Sequence, residues 1–265
     1  MFFEPQHSLS ENYFQLYEDK NLNFPLHIHR SFEYCEQVSG VTEIHIGDKK
    51  YVLKEGEAML VFPLQPHSYT SLETGRVRMC IFSPDMVATF VKKTEGRIPA
   101  DNTFFCSLPE NMPRENLFHR KSVAYFICGQ FDRGREYVKS PNQNESRVLV
   151  PLLLFAEKNF NNKCLLRDVA EEIGYDYAYV SKLFKRKVGI SFRQYVNSLR
   201  VAKSKDLLLR SAKSIEEVGA DSGFASLRAF DREFRHETKM SPSEYRCARN
   251  VATKRQEKEE KCPAK

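Results

Sequence analysis

Residues 214–245 read SIEEVGADSGFASLRAFDREFRHETKMSPSEY, and residues 165–195 read LLRDVAEEIGYDYAYVSKLFKRKVGISFRQY. The two stretches are copies of one pattern. Ala170, Gly174 and Tyr175 recur 49 residues later as Gly219, Gly223 and Phe224. After a one-residue insertion, Val180, Phe184, Gly189, Ser191 and Tyr195 recur 50 residues later as Phe230, Phe234, Lys239, Ser241 and Tyr245. Glycine, aromatic and small residues held at fixed places mark a repeated supersecondary unit. Each copy predicts helix, turn, helix. Ser214 and Glu217 have capping-box spacing, Gly223 suits the left-handed turn that ends a short helix, and Ser226 caps the next. Phe230 and Phe234 then face inward at i, i+4. In the first copy Gly174 ends one helix, Asp176 caps the next, and Val180, Leu183 and Phe184 face inward. Tyr175, Phe224 and Tyr245 are expected in the core with them. A connecting helix of roughly residues 192–209 separates the copies.

Two short helices about a glycine turn form the unit whose second helix enters a DNA major groove. The outward positions of those second helices are Ala178, Tyr179, Ser181, Lys182 and Lys185 in the first copy. In the second they are Leu227, Arg228, Asp231, Arg232 and Arg235. The charge falls in the same half. Residues 147–265 hold 25 Lys and Arg against 16 Asp and Glu, a net of +9, whereas residues 1–146 carry a net of −3. A basic half joined to a mildly acidic one points to a polyanion met by one part only.

The stretch from about 147 to 249 resembles the DNA-binding domain of AraC/XylS-type bacterial transcription regulators. The signature is Gly223-Phe224, Phe230-x-x-x-Phe234, then Met240-Ser-Pro-Ser-Glu-Tyr245-Arg246. Two positions depart from the family pattern: Lys239 stands where Gly is common, and Gly219 where Ala is common. Glycine inside a short helix costs up to about 1 kcal/mol relative to alanine, so a softer second unit is expected. The resemblance implies two recognition helices in successive major-groove segments of double-stranded promoter DNA. Arg228 and Arg232 are expected to read guanine edges, with Lys182 and Ser181 as their counterparts in the first unit. Asp231 either accepts from a cytosine amine or holds Arg235 at i+4. Lys185, Arg186, Lys187 and Arg193 are expected on phosphates.

The acidic half reads as short strands. Residues 41–46 alternate, Gly47-Asp48 supplies a turn, and residues 51–53 resume. A turn at 54–57, an apolar run at 58–62, a proline-broken loop at 63–66 and a strand at 77–82 follow, which implies a small sandwich or barrel. A helix is expected from about 115 to 138, and Ser140-Pro-Asn-Gln-Asn144 breaks the pattern as a linker. The expected organisation is therefore α+β: residues 1–138 as an effector-binding and dimerising domain, 139–146 as linker, 147–250 as the DNA-binding domain, and 251–265 as a charged, solvated tail.

On one uninterrupted strand His27, His29 and Glu33 would share a face, because their separations are even. Their spacing, followed by Gly40, resembles the first motif of the cupin superfamily, and Gly56 with His67 resembles parts of the second. The second motif departs at Phe62 and Leu64, where metal-binding cupins place Pro and Gly, and at Ser71, where they place Asn. Two readings stay open. The four residues hold a divalent metal, with His67 as fourth ligand, or they line a pocket for a small organic effector such as a sugar. His7, His45 and His119 lack partners at ligand spacing.

No run approaches the roughly 20 apolar residues that span a bilayer, and residues 1–5 lack a signal-peptide layout, so no membrane partner and a cytoplasmic location are expected. Seven scattered cysteines without a C-x-x-C pair argue for reduced thiols rather than a disulfide framework. The resulting expectation is an effector-controlled regulator, an activator with RNA polymerase as partner and a homodimer as assembly. The alternatives are a metal-responsive regulator and a metal-dependent cupin enzyme with a DNA-binding appendage.

Overall fold

The structure is a computed structural model that describes residues 2–3, 12–141 and 143–247. His7 and the tail beyond 247, including Cys262, lie outside the described residues. These fall into two compact units, one carrying Met1–Val150 and Lys182–Ile190, the other Pro151–Ser181 and Ser191–Lys265.

The first unit is built on an eight-stranded sheet. Its strands are β1 (Phe2–Phe3), β2 (Phe14–Lys20), β3 (Phe24–Ile28), β4 (Phe32–Ile46), β5 (Lys49–Leu53), β6 (Glu57–Val61), β7 (His67–Phe82) and, after a short β8 (Arg97–Pro99), β9 (Thr103–Phe105). The two long strands organise it. The first half of β4 pairs with β6 and with the end of β7, while its second half pairs with β5 and the start of β7. Both strands change course at Gly40 and Gly75, where the register between them shifts. A Cβ on Gly75 would sit 2.0 Å from the Ser39 carbonyl oxygen, and Gly40 takes φ +80°. Only glycine permits that approach.

Alternation along β4 then sorts its side chains. Phe32 and Tyr34 join a cluster with Leu60, Phe62, Phe82 and residues of α1 (Ala88–Lys93) and α2 (Leu117–Asp132). Cys35 and Ile44 face the opposite way, into a cluster with Leu53, Met59, Val61, Tyr69, Val77 and Met79. The second cluster draws on both halves of β4 and β7, so the sheet closes over its own inner face. The helix expected to reach residue 138 stops at Asp132, and Tyr137–Lys139 instead forms β10 against β8. Gly134, at φ +60°, turns the chain between them. The next helix, α3 (Gln143–Asn159), begins inside the stretch expected as linker.

The repeats fold as read. The helices are α4 (Leu166–Glu172), α5 (Tyr177–Val188), α6 (Phe192–Arg210), α7 (Ile215–Asp221) and α8 (Leu227–Thr238). Ser214 and Glu217 make both bonds of the capping box, Ser226 accepts from the Ala229 amide at 3.2 Å, and Asp176 accepts from the Tyr179 amide at 3.0 Å. Gly174 and Gly223 take φ +72° and +89°. Phe224, Phe230 and Phe234 form one core with Val201, Leu208 and Val218, each buried phenylalanine contributing about 1.5–3 kcal/mol.

Both family departures have a local account. Lys239 takes φ +62° at the C-terminal end of α8, the conformation that its counterpart Gly189 also adopts. Gly219 lies under a ring: a Cβ there would meet Phe230 Cδ1 at 2.8 Å and Cγ at 3.2 Å. In the first repeat the same two places hold Ala170 and Val180, a larger helix residue with a smaller partner. The glycine is therefore matched to the phenylalanine rather than a simple weakness. Gly219→Ala is expected to destabilise by about 1–3 kcal/mol through overpacking, although helix propensity alone would stabilise. In a Phe230→Val background the same change should be neutral or favourable. Denaturant melts of the four proteins in this cycle measure the coupling, and an additive cycle refutes the size match.

Candidate functional site

Strand β3 ends at Ile28 and β4 begins at Phe32, with residues 29–31 outside the ladder. The single uninterrupted strand expected for His27, His29 and Glu33 is thus two strands joined by a bend. The residues still converge. His27 is paired directly with His67 across β3 and β7, and Glu33 enters on the inward face of β4. His27, His29, Glu33 and His67 each offer a ligand atom, and these atoms lie within 4.8 Å of one another. All four residues are buried.

The hydrogen bonds decide which ring atoms face inward. His27 Nδ1 lies 3.0 Å from the Pro25 carbonyl oxygen, His29 Nδ1 3.1 Å from that of Ser31, and His67 Nδ1 2.8 Å from that of Gln65. A carbonyl oxygen only accepts, so each Nδ1 carries the hydrogen. In a neutral ring the Nε2 lone pair is then left to face the cluster. His29 Nε2 lies 2.9 Å from Glu33 Oε2. His67 Nε2 lies 3.6 Å from Glu33 Oε1, beyond hydrogen-bond reach, and although buried it has no hydrogen-bond partner among the described residues. Tyr69 donates its hydroxyl to Glu33 Oε1 at 2.5 Å.

Burial, with repulsion from His67, pushes the His27 pKa down to about 3, and burial lowers that of His29 against the pull of Glu33. Burial acts to raise the Glu33 carboxyl, but the hydrogen bond from His29 and the charge of His29 and His67 outweigh it and hold the group well below the usual carboxylate range. Two bare acceptors do not sit 2.9 Å apart, so the His29 Nε2–Glu33 Oε2 contact holds a proton, and the site is a buried carboxylate among three imidazoles whose Nε2 atoms turn inward. A cavity of about 260 Å3 opens beside it, lined by His27 and Glu33 together with Gln15, Asp19, Leu22, Phe24, Met79 and Ile81 among others.

Sequence reasoning missed Tyr69 and the β2 residues. Tyr69 stands two places after His67 on one strand, so period two could have placed it on the same face. Gln15 and Asp19 carried no comparable signal, because nothing local says that β2 pairs with β7. At one of the second-motif departures, Leu64 takes φ +63°, the left-handed region that favours glycine. His45 bonds Glu43, and His119 bonds Glu115, both away from the cluster.

On α5 and α8, Ala178, Tyr179, Lys182, Lys185 and Arg186 are exposed, as are Leu227, Arg228, Arg232 and Arg235, whereas Ser181 and Asp231 are half-buried. Asp231 Oδ2 accepts from Arg235 Nε at 2.8 Å, the i+4 hold that was one of two expectations. Arg232 is held by Glu233 at 2.8 Å. Arg186 and Lys187 both pair with Glu145, at 2.6 and 2.5 Å, all three in the unit that carries Met1–Val150 and Lys182–Ile190. Arg228, Lys182 and Lys185 have no carboxylate partner among the described residues. Tyr175, expected in the core, is 45% exposed and stacks on Tyr179 with ring centroids 5.8 Å apart. Its counterpart Phe224 is buried; the tyrosine hydroxyl stays in water instead.

A ligand-sized cavity in a sheet-rich domain, followed by paired helix-turn-helix units, defines a two-part binding protein. Residues 13–120 match the AraC-like ligand binding domain, and residues 169–248 match a helix-turn-helix domain. The chain is 34% identical over 104 residues to the transposon Tn10 TetD protein of Escherichia coli, covering 39% of this chain and 75% of that protein. It is 28% identical over 103 residues to an HTH-type transcriptional regulator of Staphylococcus aureus, covering 39% of this chain and only 14% of that regulator's length. Among solved structures, Vibrio cholerae ToxT with an unsaturated fatty acid bound matches the fold with a TM-score of 0.53 at 15% identity, over 89% of this chain and 94% of that one. The chain belongs to the AraC-type family of transcription regulators.

The depressed histidines give the domain a pH dependence. An unfolded chain protonates His27 near pH 6.5, while the folded site resists protonation until about pH 3. Stability is full above the unfolded value and is lost as pH falls towards the folded one. From about pH 7.5 to about pH 5.5 the loss from His27 alone should be roughly 1–2 kcal/mol. Thermal melts of chelator-treated protein should show this, and His27→Gln should flatten it; a wild-type midpoint that does not move would contradict the burial argument.

Proposed function

We propose that this protein is a sequence-specific regulator of transcription whose DNA binding is controlled by a small ligand or ion held in the sheet-rich domain. The single observation that carries the reading is the pairing of a buried carboxylate–imidazole site and cavity in one domain with two exposed cationic helices in the repeats. Arg228 reads a guanine edge through its two-pronged guanidinium. Its freedom from carboxylate partners among the described residues supports that role. Arg232 reads a second base after exchanging Glu233 for DNA, with Ser181 and Lys182 as the readers on α5. Asp231 positions Arg235. Lys185, Arg186 and Lys187 neutralise phosphates, Arg186 and Lys187 on release from Glu145. Tyr179, Ala178 and Leu227 pack against sugars and base edges.

In this reading the protein acts in the cytoplasm as a homodimer and activates through RNA polymerase. The outer face of α2, where Phe118, Tyr125 and Phe126 are exposed, supports the dimer. No helix among the described residues is long and apolar enough to cross a membrane. The family consists of regulators rather than enzymes, and the buried site serves sensing.

A duplex selected from a random pool by the protein itself provides the test. Arg228→Ala should lower affinity for the selected duplex by about 1–3 kcal/mol and relax preference at one base pair. Lys185→Ala should weaken all duplexes alike and reduce the salt slope by about 1. Uniform weakening by Arg228→Ala, measured by fluorescence anisotropy, would move that residue to the phosphate class.

His67 Nε2, buried and without a hydrogen-bond partner among the described residues, favours a divalent cation as a resident of the site. His27, His29, Glu33 and His67 fit such an ion, with Tyr69 fixing the carboxylate and three carbonyls fixing the rings. The ion would take the place of the proton in the His29–Glu33 contact and supply the positive charge that the buried carboxylate calls for. Protein purified without chelator should carry stoichiometric divalent metal by elemental analysis, lost in His29→Ala and in His67→Ala. Metal-free wild type would leave the cavity to an organic effector alone.

A further inference from the structure

Resting on the cation reading above, we infer that the signal this protein senses is a small monoanionic oxygen chelator, a 2-hydroxy or 2-oxo monocarboxylate, which binds by entering the coordination sphere of the cation through the adjacent cavity.

The cluster supplies four donors, three imidazoles and one carboxylate. Divalent ions that favour octahedral coordination keep positions open on such a set, as they do on imidazole–carboxylate triads. Space for a further ligand lies on one side, since the cavity of about 260 Å3 is lined by His27 and Glu33 themselves. That volume lies below the roughly 300–1,000 Å3 of sites for drug-sized molecules, which excludes long chains and large rings.

The electrostatics select the charge. A divalent ion on one carboxylate leaves the floor net positive, and an anionic donor is favoured there. Two oxygens on adjacent carbons fill neighbouring coordination positions with the geometry of a five-membered chelate. The walls then limit the rest of the molecule. Leu22, Phe24, Met79 and Ile81 offer an apolar surface for a short aliphatic side chain, and the carboxylate of Asp19 at the edge disfavours a second negative charge. Gln15, also at the edge, offers an amide donor and acceptor to a hydroxyl.

The same arrangement makes metal and signal interdependent. Without the ion, the Glu33 carboxyl offers a ligand carboxylate no positive partner. With it, the ligand's two oxygens complete the sphere, so ligand affinity and cation affinity rise together by linkage.

Full-length protein loaded with Co2+ tests this, because cobalt's visible absorption reports changes in its coordination. Glycolate and 2-oxobutyrate are titrated against acetate and butyrate, which have the same charge and similar size but no oxygen on the carbon next to the carboxylate. The expected result is a saturable change in the cobalt bands with glycolate and 2-oxobutyrate, and an affinity at least tenfold weaker for acetate and butyrate. Calorimetry on metal-free protein should show glycolate binding lost. If cobalt does not bind stoichiometrically, the cation reading itself fails, and this inference with it. If cobalt binds but its spectrum responds equally to glycolate and acetate, or to neither, the cation stands and the chelator is refuted. Glycolate binding of equal strength to metal-free protein refutes it as well.

Discussion

Strand β4 is buried on both faces through its first six residues, and the ligand domain is organised around that constraint. A strand with no solvent face must find a partner for every side chain. Phe32 and Tyr34 find theirs in the aromatic cluster under α1 and α2, and Cys35 finds its own on the inner face. Glu33 cannot be satisfied by hydrocarbon. Its burial requires donors or positive charge, and these come from two other places: the hydroxyl of Tyr69 with the ring of His67 on β7, and His29 in the bend. The buried cluster is thus the solution to a desolvation problem posed by one carboxylate.

That carboxylate also explains why the site's parts are so tightly specified. Breaking one partner of a buried charge is costly, because the group left behind keeps its desolvation penalty. The Nδ1 bonds to backbone carbonyls hold each ring in one orientation, so the Nε2 atoms do not have to be ordered when a ligand arrives. Gly40 and Gly75 allow β4 and β7 to turn together, and that turn brings residues from opposite ends of two long strands to one inner face.

The helix-turn-helix repeats obey a different logic. Their stability comes from short-range rules: caps at Ser214, Ser226 and Asp176, left-handed turns at Gly174 and Gly223, and phenylalanines one helical turn apart. The outward positions stay at the surface, and several of their charges are held in local pairs such as Asp231–Arg235 and Arg232–Glu233. Such exposed pairs contribute little to stability.

The amino-acid sequence alone determined the repeats, their helix starts and turns, the separation of charge between the halves, and the identity of the four inward-facing site residues. The repeats and their caps are written in short spacings or in a repeat laid beside its copy, the charge separation in composition, and the four residues in a motif resemblance. Tertiary structure decided the rest. It broke the expected strand between His27 and Glu33, ended α2 at Asp132, exposed Tyr175, and gave Gly219 its reason in the ring of Phe230. It also supplied Tyr69 to Glu33 and opened the cavity beneath β2. Those outcomes depend on which strands pair at long range and on how large a facing side chain is. No local pattern encodes either, because burial belongs to the fold and not to the residue.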